Sequence, residues 1–264
     1  MMKYMQQKIY QIDAFATKTF EGNPAMVCPL ERWLSDELMQ QIAEENNLSE
    51  TAFFVKEDEV YSLRWFTPTT EVDMCGHATL ASAYVLFECL DYEKEEIVFS
   101  TKSGELKVWK EESRYVMDFP IQVIEVCDIS EEIEKAFGVK PMATFASIDY
   151  IVVFDNEEEV LNAKANLALL KELDLRGVCI TAKSKEYDFV TRFFAPKYGI
   201  DEDPVTGSAF TQLVSYWADA LGKNVFEAKQ VSARGGEVHC VVKADRVEMS
   251  GGAVMYLEGV IFQN

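Results

Sequence analysis

Two segments of the chain are apolar around almost their whole circumference, and each of them predicts a buried helix. Residues 78–90 place leucine, alanine, tyrosine, valine and phenylalanine on every helical face, and residues 208–221 repeat this pattern before Gly222. A helix without a polar face has to be covered on all sides. With 13 residues the first segment is too short to span a bilayer, which takes about 20. We therefore expect two central helices, each enclosed by other elements of the fold.

The segments that can enclose these helices are mainly short apolar runs that predict strands. They are residues 9–15, 25–28, 51–55, 62–66, 97–100, 105–109, 115–119, 150–154, 178–181, 190–194, 236–242 and 246–250. Amphipathic outer helices are predicted from the N-cap candidate Ser35 to near Asn46, and over residues 131–137 and 157–170. The pattern favours an α+β fold in which a curled sheet or barrel surrounds a central buried helix, twice.

Each buried helix follows the same motif, so the chain contains an internal repeat. Residues 65–78 and 193–209 both run from an aromatic-Phe-x-Pro segment through an acidic loop to Gly-(His/Ser)-Ala. The glycines of the two motifs, Gly76 and Gly207, lie 131 residues apart in a chain of 264. A repeat of half the chain predicts two pseudo-symmetric domains, residues 1–119 and 120–264, that face each other across a site. The last strand is also compatible with a place in the first domain.

The charge balance restricts the partners that we expect. The chain has 45 Asp and Glu against 25 Lys and Arg, for a formal net charge of −20. This surplus argues against binding of nucleic-acid backbones and of anionic membrane surfaces. An anionic substrate would have to be attracted locally, by helix N-termini or by a few cationic side chains.

Cysteine and histidine usage points to a reduced compartment and no metal. The six cysteines are scattered without a C-x-x-C motif, and two histidines do not supply zinc-site spacing. Residues 1–8 lead directly into a predicted strand without an apolar leader, so we expect no signal peptide. The expectation is a cytoplasmic protein with free thiols.

The two glycine turns are the strongest candidates for a binding site. Cys75-Gly76-His77-Ala78 and Thr206-Gly207-Ser208-Ala209 each open a buried helix. Glycine lets the backbone approach a ligand, and the first N–H groups of a helix lack intrahelical partners, so such a turn binds a carboxylate or phosphate well. A glycine that only permits close packing, with Ser208 as a simple cap, is the alternative; the matched pair favours a ligand.

Several side chains beside these turns could carry chemistry. His77 occupies the position that Ser208 has in the second motif, and both can donate hydrogen bonds. Asp73 and Asp203 lie in the acidic loops. Cys75 stands at a helix N-terminus, where a thiol pKa is lowered, which allows a nucleophile or acid/base group, although a buried structural cysteine is commoner.

The chain resembles the PhzF-like family, named for an isomerase of phenazine biosynthesis. The matching segments are residues 13–15, 20–25, 49–53, 64–68, 73–79 and 203–209. The resemblance implies the diaminopimelate-epimerase-like fold, in which two pseudo-symmetric halves each roll a sheet around a central helix and the site lies in the cleft. Homodimers are common in this family, so the resemblance also implies a homodimer.

The resemblance further implies roles for individual residues. The catalytic glutamate of the family corresponds to Glu50, which spacing alone would not distinguish from the other acidic residues. The resemblance also implies His77, Asp203 and Ser208 as catalytic residues and Gly76 and Gly207 as turn contacts to the substrate. Asn23, Asp73, Cys75 and Thr206 complete the predicted substrate-binding residues. Related epimerases use two facing cysteines, but here the second position is Thr206, whose hydroxyl is no practical base at neutral pH. Two-thiol racemisation is therefore disfavoured.

Together these observations predict a cofactor-independent isomerase that moves a proton between carbons of a small anionic, carboxylate-bearing metabolite. Glu50 would abstract the proton and return it on the same face. A reference pKa of about 4.3 makes glutamate a weak base, so we expect burial to raise it. Two alternatives remain: an epimerase that uses Cys75 as its single base, and a non-catalytic binding or scaffold protein of the same fold.

Overall fold

A computed structural model of the chain describes residues 5–263. Residues 1–4 lie outside the described residues; they are the first half of the segment in which we expect no signal peptide. Within residues 5–263, no helix is long and apolar enough to cross a membrane. The chain divides into two compact units, one made of Met1–Asp118 with Ser250–Asn264 and the other of Phe119–Met249.

Strands dominate the secondary structure. The strands are β1 Met5–Ala14, β2 Asn23–Leu30, β3 Glu50–Glu57, β4 Val60–Phe66, β5 Glu71–Val72, β6 Glu96–Thr101, β7 Gly104–Glu111, β8 Arg114–Pro120, β9 Glu125–Val126, β10 Ala143–Ala146, β11 Tyr150–Val153, β12 Val178–Lys183, β13 Phe189–Ala195, β14 Ile200–Asp203, β15 Val225–Gln230, β16 Gly236–Lys243, β17 Arg246–Gly251 and β18 Ala253–Gln263. The α-helices are α1 Asp36–Asn46, α2 Gly76–Tyr84, α3 Ser130–Phe137, α4 Glu157–Leu161, α5 Leu167–Lys171 and α6 Gly207–Leu221. A π-helical turn, Val85–Cys89, continues α2, and a 3₁₀ turn, Pro196–Tyr198, follows β13.

The two units repeat one pairing pattern. In the first, β1 and β2 are antiparallel, β2 and β3 parallel, β3 and β4 antiparallel, β4 and β6 parallel, and β6 and β7 antiparallel. In the second, β10, β11, β12, β13, β15 and β16 pair in the same order and directions. The predicted α+β fold with pseudo-symmetric halves is confirmed, with a sheet that is not closed into a barrel over the described part of the chain.

The two helices that follow the repeated motif are buried, as their apolar pattern predicts. Every residue of α2 from Gly76 to Ala83 is buried. Its two hydroxyl residues are satisfied locally, because Thr79 donates to the Cys75 carbonyl and Ser82 to the Ala78 carbonyl. Most of α6 is buried in the same way. The hydroxyl groups of Thr79 and Ser82 thus need no contact with solvent, whereas α6 reaches the surface near its C-terminal end, at Asp219.

Three predictions of secondary structure are corrected by the fold. The single helix expected over residues 157–170 is wrong, because the segment forms the short helices α4 and α5. Asn156 and Asn166 each accept a hydrogen bond from a first-turn N–H, so Asn166 starts a new helix where the pattern indicates continuation. The predicted helix over 78–90 becomes π-helical from Val85. Finally, β10, β15 and β18 were not predicted as strands; β18 pairs antiparallel with β1 within the first unit.

Candidate active site

Glu50 enters the site through the turn between α1 and β3. Asn47 caps α1 in the left-handed conformation, with φ 50°, so the helix stops there and the chain turns into the strand that Glu50 begins. Glu50 is paired with Ala25 of the neighbouring parallel strand β2. Its side chain is only 11% exposed, which makes it a buried carboxylate.

The first turn of α2 supplies the groups that surround this carboxylate. Cys75 is the N-cap residue, with an extended backbone and no side-chain hydrogen bond to the helix. Gly76 and His77 follow as the first two helical residues. His77 and Cys75 are 4% and 7% exposed, so the turn presents an imidazole and a thiol in the protein interior.

These side chains form one cluster. His77 Nε2 lies 3.0 Å from Glu50 Oε2, and His77 Nδ1 lies 3.5 Å from Cys75 Sγ and 3.3 Å from the amide nitrogen of Asn23. The close contact of Nε2 with Oε2 is not aligned as a hydrogen bond. Oε2 is buried and has no hydrogen-bond partner among the residues that the structure describes. Oε2 is thus ion-paired with His77 but keeps unused capacity to accept a hydrogen bond, so a bound ligand or substrate can donate to it.

The charges within the cluster follow from its burial. Burial alone lowers the pKa of His77, but Cys75 and the Glu50 carboxylate outweigh it and raise this pKa well above its usual range. Burial, with the charge of Glu50 added, raises the pKa of the Cys75 thiol to about 11. The expectation that the helix N-terminus lowers the thiol pKa is therefore wrong. Because this thiol is uncharged at neutral pH, the Glu50 carboxylate is the charge that raises the pKa of His77 there.

The same three side chains offer donor atoms of the kinds that zinc binds. One ligand atom each from Glu50, Cys75 and His77 lies within 4.8 Å of the others. A thiol with a pKa near 11 must first lose its proton to become a metal ligand, which weakens metal binding at neutral pH. The absence of a metal from the function stays a prediction.

In the second motif, the loop before α6 is held by internal hydrogen bonds. Thr206, the N-cap residue, donates from its hydroxyl to Asp203 Oδ2 over 2.5 Å. The fully buried Gln230 accepts from the Thr206 N–H at 2.9 Å and donates to the Asp203 carbonyl at 2.6 Å. The loop is therefore fixed, and the Asp203 carboxylate is held at the start of the helix.

Ser208, in the first turn of α6, is joined to a buried ion pair. Its hydroxyl oxygen accepts from Arg176 Nη2 at 2.9 Å. Arg176 also donates from Nε and Nη2 to the two carboxylate oxygens of Asp149, which is fully buried, at 2.8 and 2.6 Å. Gln212 adds a further donor to Asp149 at 2.7 Å. Sequence reasoning missed four residues of this network and of the neighbouring loop, which are Asp149, Arg176, Gln212 and Gln230. An alignment of the two halves by their strands would have drawn attention to Arg176, because it lies just before β12.

That alignment shows that the second unit has no counterpart of Glu50. Phe66 and Phe194 hold the same place in the repeat, and they pair with Thr51 and Val178, respectively. The residue before Val178 is Gly177. A Cβ atom there would lie 2.6 Å from Cζ of Phe193 and 2.8 Å from the carbonyl oxygen of Phe194. The position that carries the carboxylate in one unit thus has no room for a side chain in the other.

The structure brings most of the predicted site residues into these two groups. Asn23, Glu50, Cys75 and His77 meet in the first unit, where Gly76 begins α2. Asp203 and Thr206 meet in the second, where Gly207 begins α6. Asp73 is different, because it is exposed and its carbonyl accepts a hydrogen bond from the Ser103 hydroxyl.

The chain thus has a duplicated α+β fold, and its first unit holds a buried carboxylate, imidazole and thiol at a helix N-terminus. The chain belongs to the family described as phenazine biosynthesis-like protein (PhzC-PhzF), whose sequence model matches residues 12–259. The PhzF-like resemblance seen in the sequence is thereby confirmed.

Individual relatives agree with this assignment. An uncharacterised isomerase of Pseudomonas aeruginosa is 49% identical, over 97% of this chain and 99% of the relative. The crystal structure of a PhzF-family protein of Enterococcus faecalis is similar, with a TM-score of 0.96, 46% identity, and coverage of 98% of this chain and 100% of that one. A hydroxyproline epimerase from Agrobacterium vitis shares the fold, with a TM-score of 0.61, 8% identity and coverage of 97% and 92%. The predicted enzyme class, an isomerase, is confirmed.

Proposed function

We propose that this isomerase moves a proton between carbon atoms of a small carboxylate-bearing metabolite, without a cofactor, and that Glu50 is its general acid and base. The observation that carries the proposal is the buried Oε2 of Glu50, which has no hydrogen-bond partner among the described residues and lies 3.0 Å from His77 Nε2. A carboxylate oxygen in this situation is available to take a proton from a bound molecule.

The proposed reaction consists of two proton transfers. Glu50 takes a proton from one carbon, so that the C–H bond breaks, an O–H bond forms and the electron pair stays on the substrate. Glu50 then returns the proton to another carbon of the same delocalised system, and the double bond has moved. The positive charge on His77 remains beside the site throughout and stabilises the negative charge that develops on the substrate.

Two observations support one carboxylate base over the alternatives. The thiol of Cys75 is protonated at neutral pH, since its pKa is about 11, and this disfavours an epimerase with Cys75 as base. The counterpart of Glu50 in the second unit is Gly177, and the counterpart of Cys75 is Thr206, so the second motif offers no second base at these positions. The orphan carboxylate oxygen in turn disfavours a purely non-catalytic scaffold, which would have no use for it.

The remaining site residues are proposed to bind and orient the substrate. Asp203 and Ser208 are included on the strength of the repeat and of the family resemblance. Asn23 contacts the imidazole of His77 and would fix its orientation. Asp73, Cys75, Gly76, Thr206 and Gly207 remain predicted binding residues. The surplus of acidic residues favours a small metabolite over nucleic acids or membranes as the partner.

The experiment is a screen for solvent deuterium uptake by candidate metabolites, followed by comparison of Glu50→Gln with the wild type. Loss of a general acid/base typically lowers the rate by about 10²–10⁴-fold, and here one group serves both steps. Glu57→Gln, at the exposed end of the same strand, is the matched control and should exchange normally. Dialysis against a chelator should leave the rate unchanged. Full exchange by Glu50→Gln would remove Glu50 from the mechanism.

Homodimerisation and a cytoplasmic location are part of the same proposal. Strand β18 gives specific support for self-association, because it exposes an unusual number of large apolar side chains. They are Met255, Tyr256, Leu257, Val260 and Phe262. Phe20, which is 66% exposed, packs edge-on against Tyr256 and extends this apolar surface. Sedimentation equilibrium of the purified protein measures the oligomeric state directly.

A further inference from the structure

Arg176 is a charged residue in the second unit that no motif singled out. Its guanidinium lies over the ring of Phe193, 5.4 Å from the centroid, and is held by both oxygens of the buried Asp149. The carboxylate of Asp149 fixes one edge of the guanidinium and the ring of Phe193 covers one face, so this arginine has little freedom to move. Two predicted site residues act on it: Ser208 accepts its hydrogen bond, and the charge of Asp203 is close enough to favour the guanidinium.

The hydrogen bonds of Arg176 leave one end of the guanidinium unused. Nε and Nη2 account for all its bonds, and Nη1 donates to no residue within the described range 5–263. Arg192 is a useful contrast: it also lies over a ring and grips a carboxylate, but its Nη1 donates to the carbonyls of Val160 and Ala163. Arg192 is therefore a saturated structural arginine, whereas Arg176, whose side chain is 35% exposed, still has two N–H groups to offer.

The hydroxyl group of Ser208 also has a hydrogen that no described residue accepts. Because its oxygen accepts from Arg176, its hydrogen has to point elsewhere, and it meets no acceptor among the described residues. The Nη1 atom of Arg176, with its two N–H groups, and the hydroxyl of Ser208, which Nη2 contacts, thus remain available as donors at the first turn of α6. Two neighbouring donors on a cationic frame match the two oxygens of a carboxylate.

We propose that Arg176, with the Ser208 hydroxyl that it positions, binds a carboxylate group of the substrate, and that the buried Asp149 holds Arg176 in place for this task. The inference deepens the proposed function and rests on it for the identity of the ligand as a substrate. It gives the strongly acidic chain the local cation that an anionic substrate needs. Arg176 is a substrate-binding residue in this scheme and takes no part in the proton transfer.

The test uses benzoate as the carboxylate probe and benzamide as its uncharged counterpart. Dissociation constants are measured by NMR titration of the full chain. Since Arg176→Met alone would leave Asp149 buried and unpaired, the variant is the double substitution Asp149→Asn with Arg176→Met, and Asp149→Asn alone is its control. The wild type should bind benzoate at least ten times more tightly than benzamide. The double variant should lose about ten- to a hundred-fold in benzoate affinity, with benzamide unchanged.

Partial recovery by Arg176→Lys, which keeps the charge but not the fork, would support recognition of an anion over a packing role. The inference is overturned if the double variant keeps the wild-type affinity for benzoate, if affinity for benzoate and benzamide falls equally, or if the wild type shows no benzoate preference. Glu57→Gln, at the exposed end of β3, should bind benzoate as the wild type does. Binding that depends on Arg176 in a protein without any proton exchange would therefore sink the proposed function and leave the carboxylate site standing.

Discussion

Removal of the Glu50 carboxylate should reverse the direction of the pKa shift of His77. At the 3.0 Å between Nε2 and Oε2, opposite unit charges attract by about 5 kcal/mol at an effective dielectric constant near 20. That attraction opposes a desolvation penalty of several kcal/mol for a buried ion. In Glu50→Gln the penalty is opposed only by the contact with Cys75, whose thiol is uncharged at neutral pH. We expect the pKa of His77 to lie above the reference value of 6.5 in the wild type and below it in the variant.

The chain is well suited to this measurement because it has only two histidines. Titration of the imidazole carbon signals by NMR yields both pKa values, and His239→Gln assigns them by elimination. His239 is also the matched control: it lies 2.8 Å from Glu227, which is 52% exposed, so its NMR signals at a given pH should be the same in Glu50→Gln and the wild type. An unchanged pKa of His77 in Glu50→Gln, or a wild-type value below 6.5, would refute the reasoning.

The same pair makes a prediction about stability. A histidine whose folded-state pKa is raised contributes stability that is complete below its unfolded value of about 6.5 and is lost as the pH rises through the folded value. The excess stability of the wild type over Glu50→Gln should therefore be largest below pH 6.5 and shrink above it. Urea unfolding at a series of pH values measures this difference, and a gap that grows with pH would contradict it.

Two further predictions concern Cys75 and Gly177. Cys75→Ser should keep most of the activity, and near-total loss of activity in a folded Cys75→Ser protein would support thiol chemistry instead. In the wild type, iodoacetamide at pH 7 should modify Cys75 more slowly than the half-buried Cys127, as followed by mass spectrometry. Gly177→Ala should lower the free energy of unfolding in urea by about 1–3 kcal/mol, because the added Cβ would overlap Phe193. In the control Gly259→Ala the nearest atom is 3.5 Å away, so the free energy of unfolding should change by less than about 0.5 kcal/mol. Equal effects of the two substitutions would show that the clash at Gly177 relaxes.

The parts of the fold that a pattern encodes were predictable, and those that depend on distant partners were not. The apolar circumference of residues 78–90 and 208–221 identified both central helices, and the repeated motif identified the turn that holds Cys75 and His77. Glu50 has no local signature, since only folding of β3 beside α2 brings it to His77. Its role could be suggested only by resemblance.

The network around Ser208 illustrates the limit more sharply. Arg176 and Asp149 are 27 residues apart, and Gln212 is 63 residues from Asp149. No periodicity relates positions so far apart, so their contacts follow from tertiary packing, which brings the residues just before β11 and β12 to α6. The pKa of Cys75 is a further example: we expect it to be lowered by the helix terminus, but burial and the Glu50 carboxylate, both results of tertiary packing, outweigh that effect and raise it.

The ring of Phe193 has a consequence for how this enzyme could change its chemistry during evolution. It occupies the space that a side chain at Gly177 would need, and its face supports the guanidinium of Arg176. An acid at position 177 would meet both the ring of Phe193 and the backbone carbonyl of Phe194. A smaller residue at 193 would relieve only the first clash and would remove the platform under Arg176. A two-base racemase is therefore not one substitution away from this chain, because positions 176, 177 and 193 are coupled.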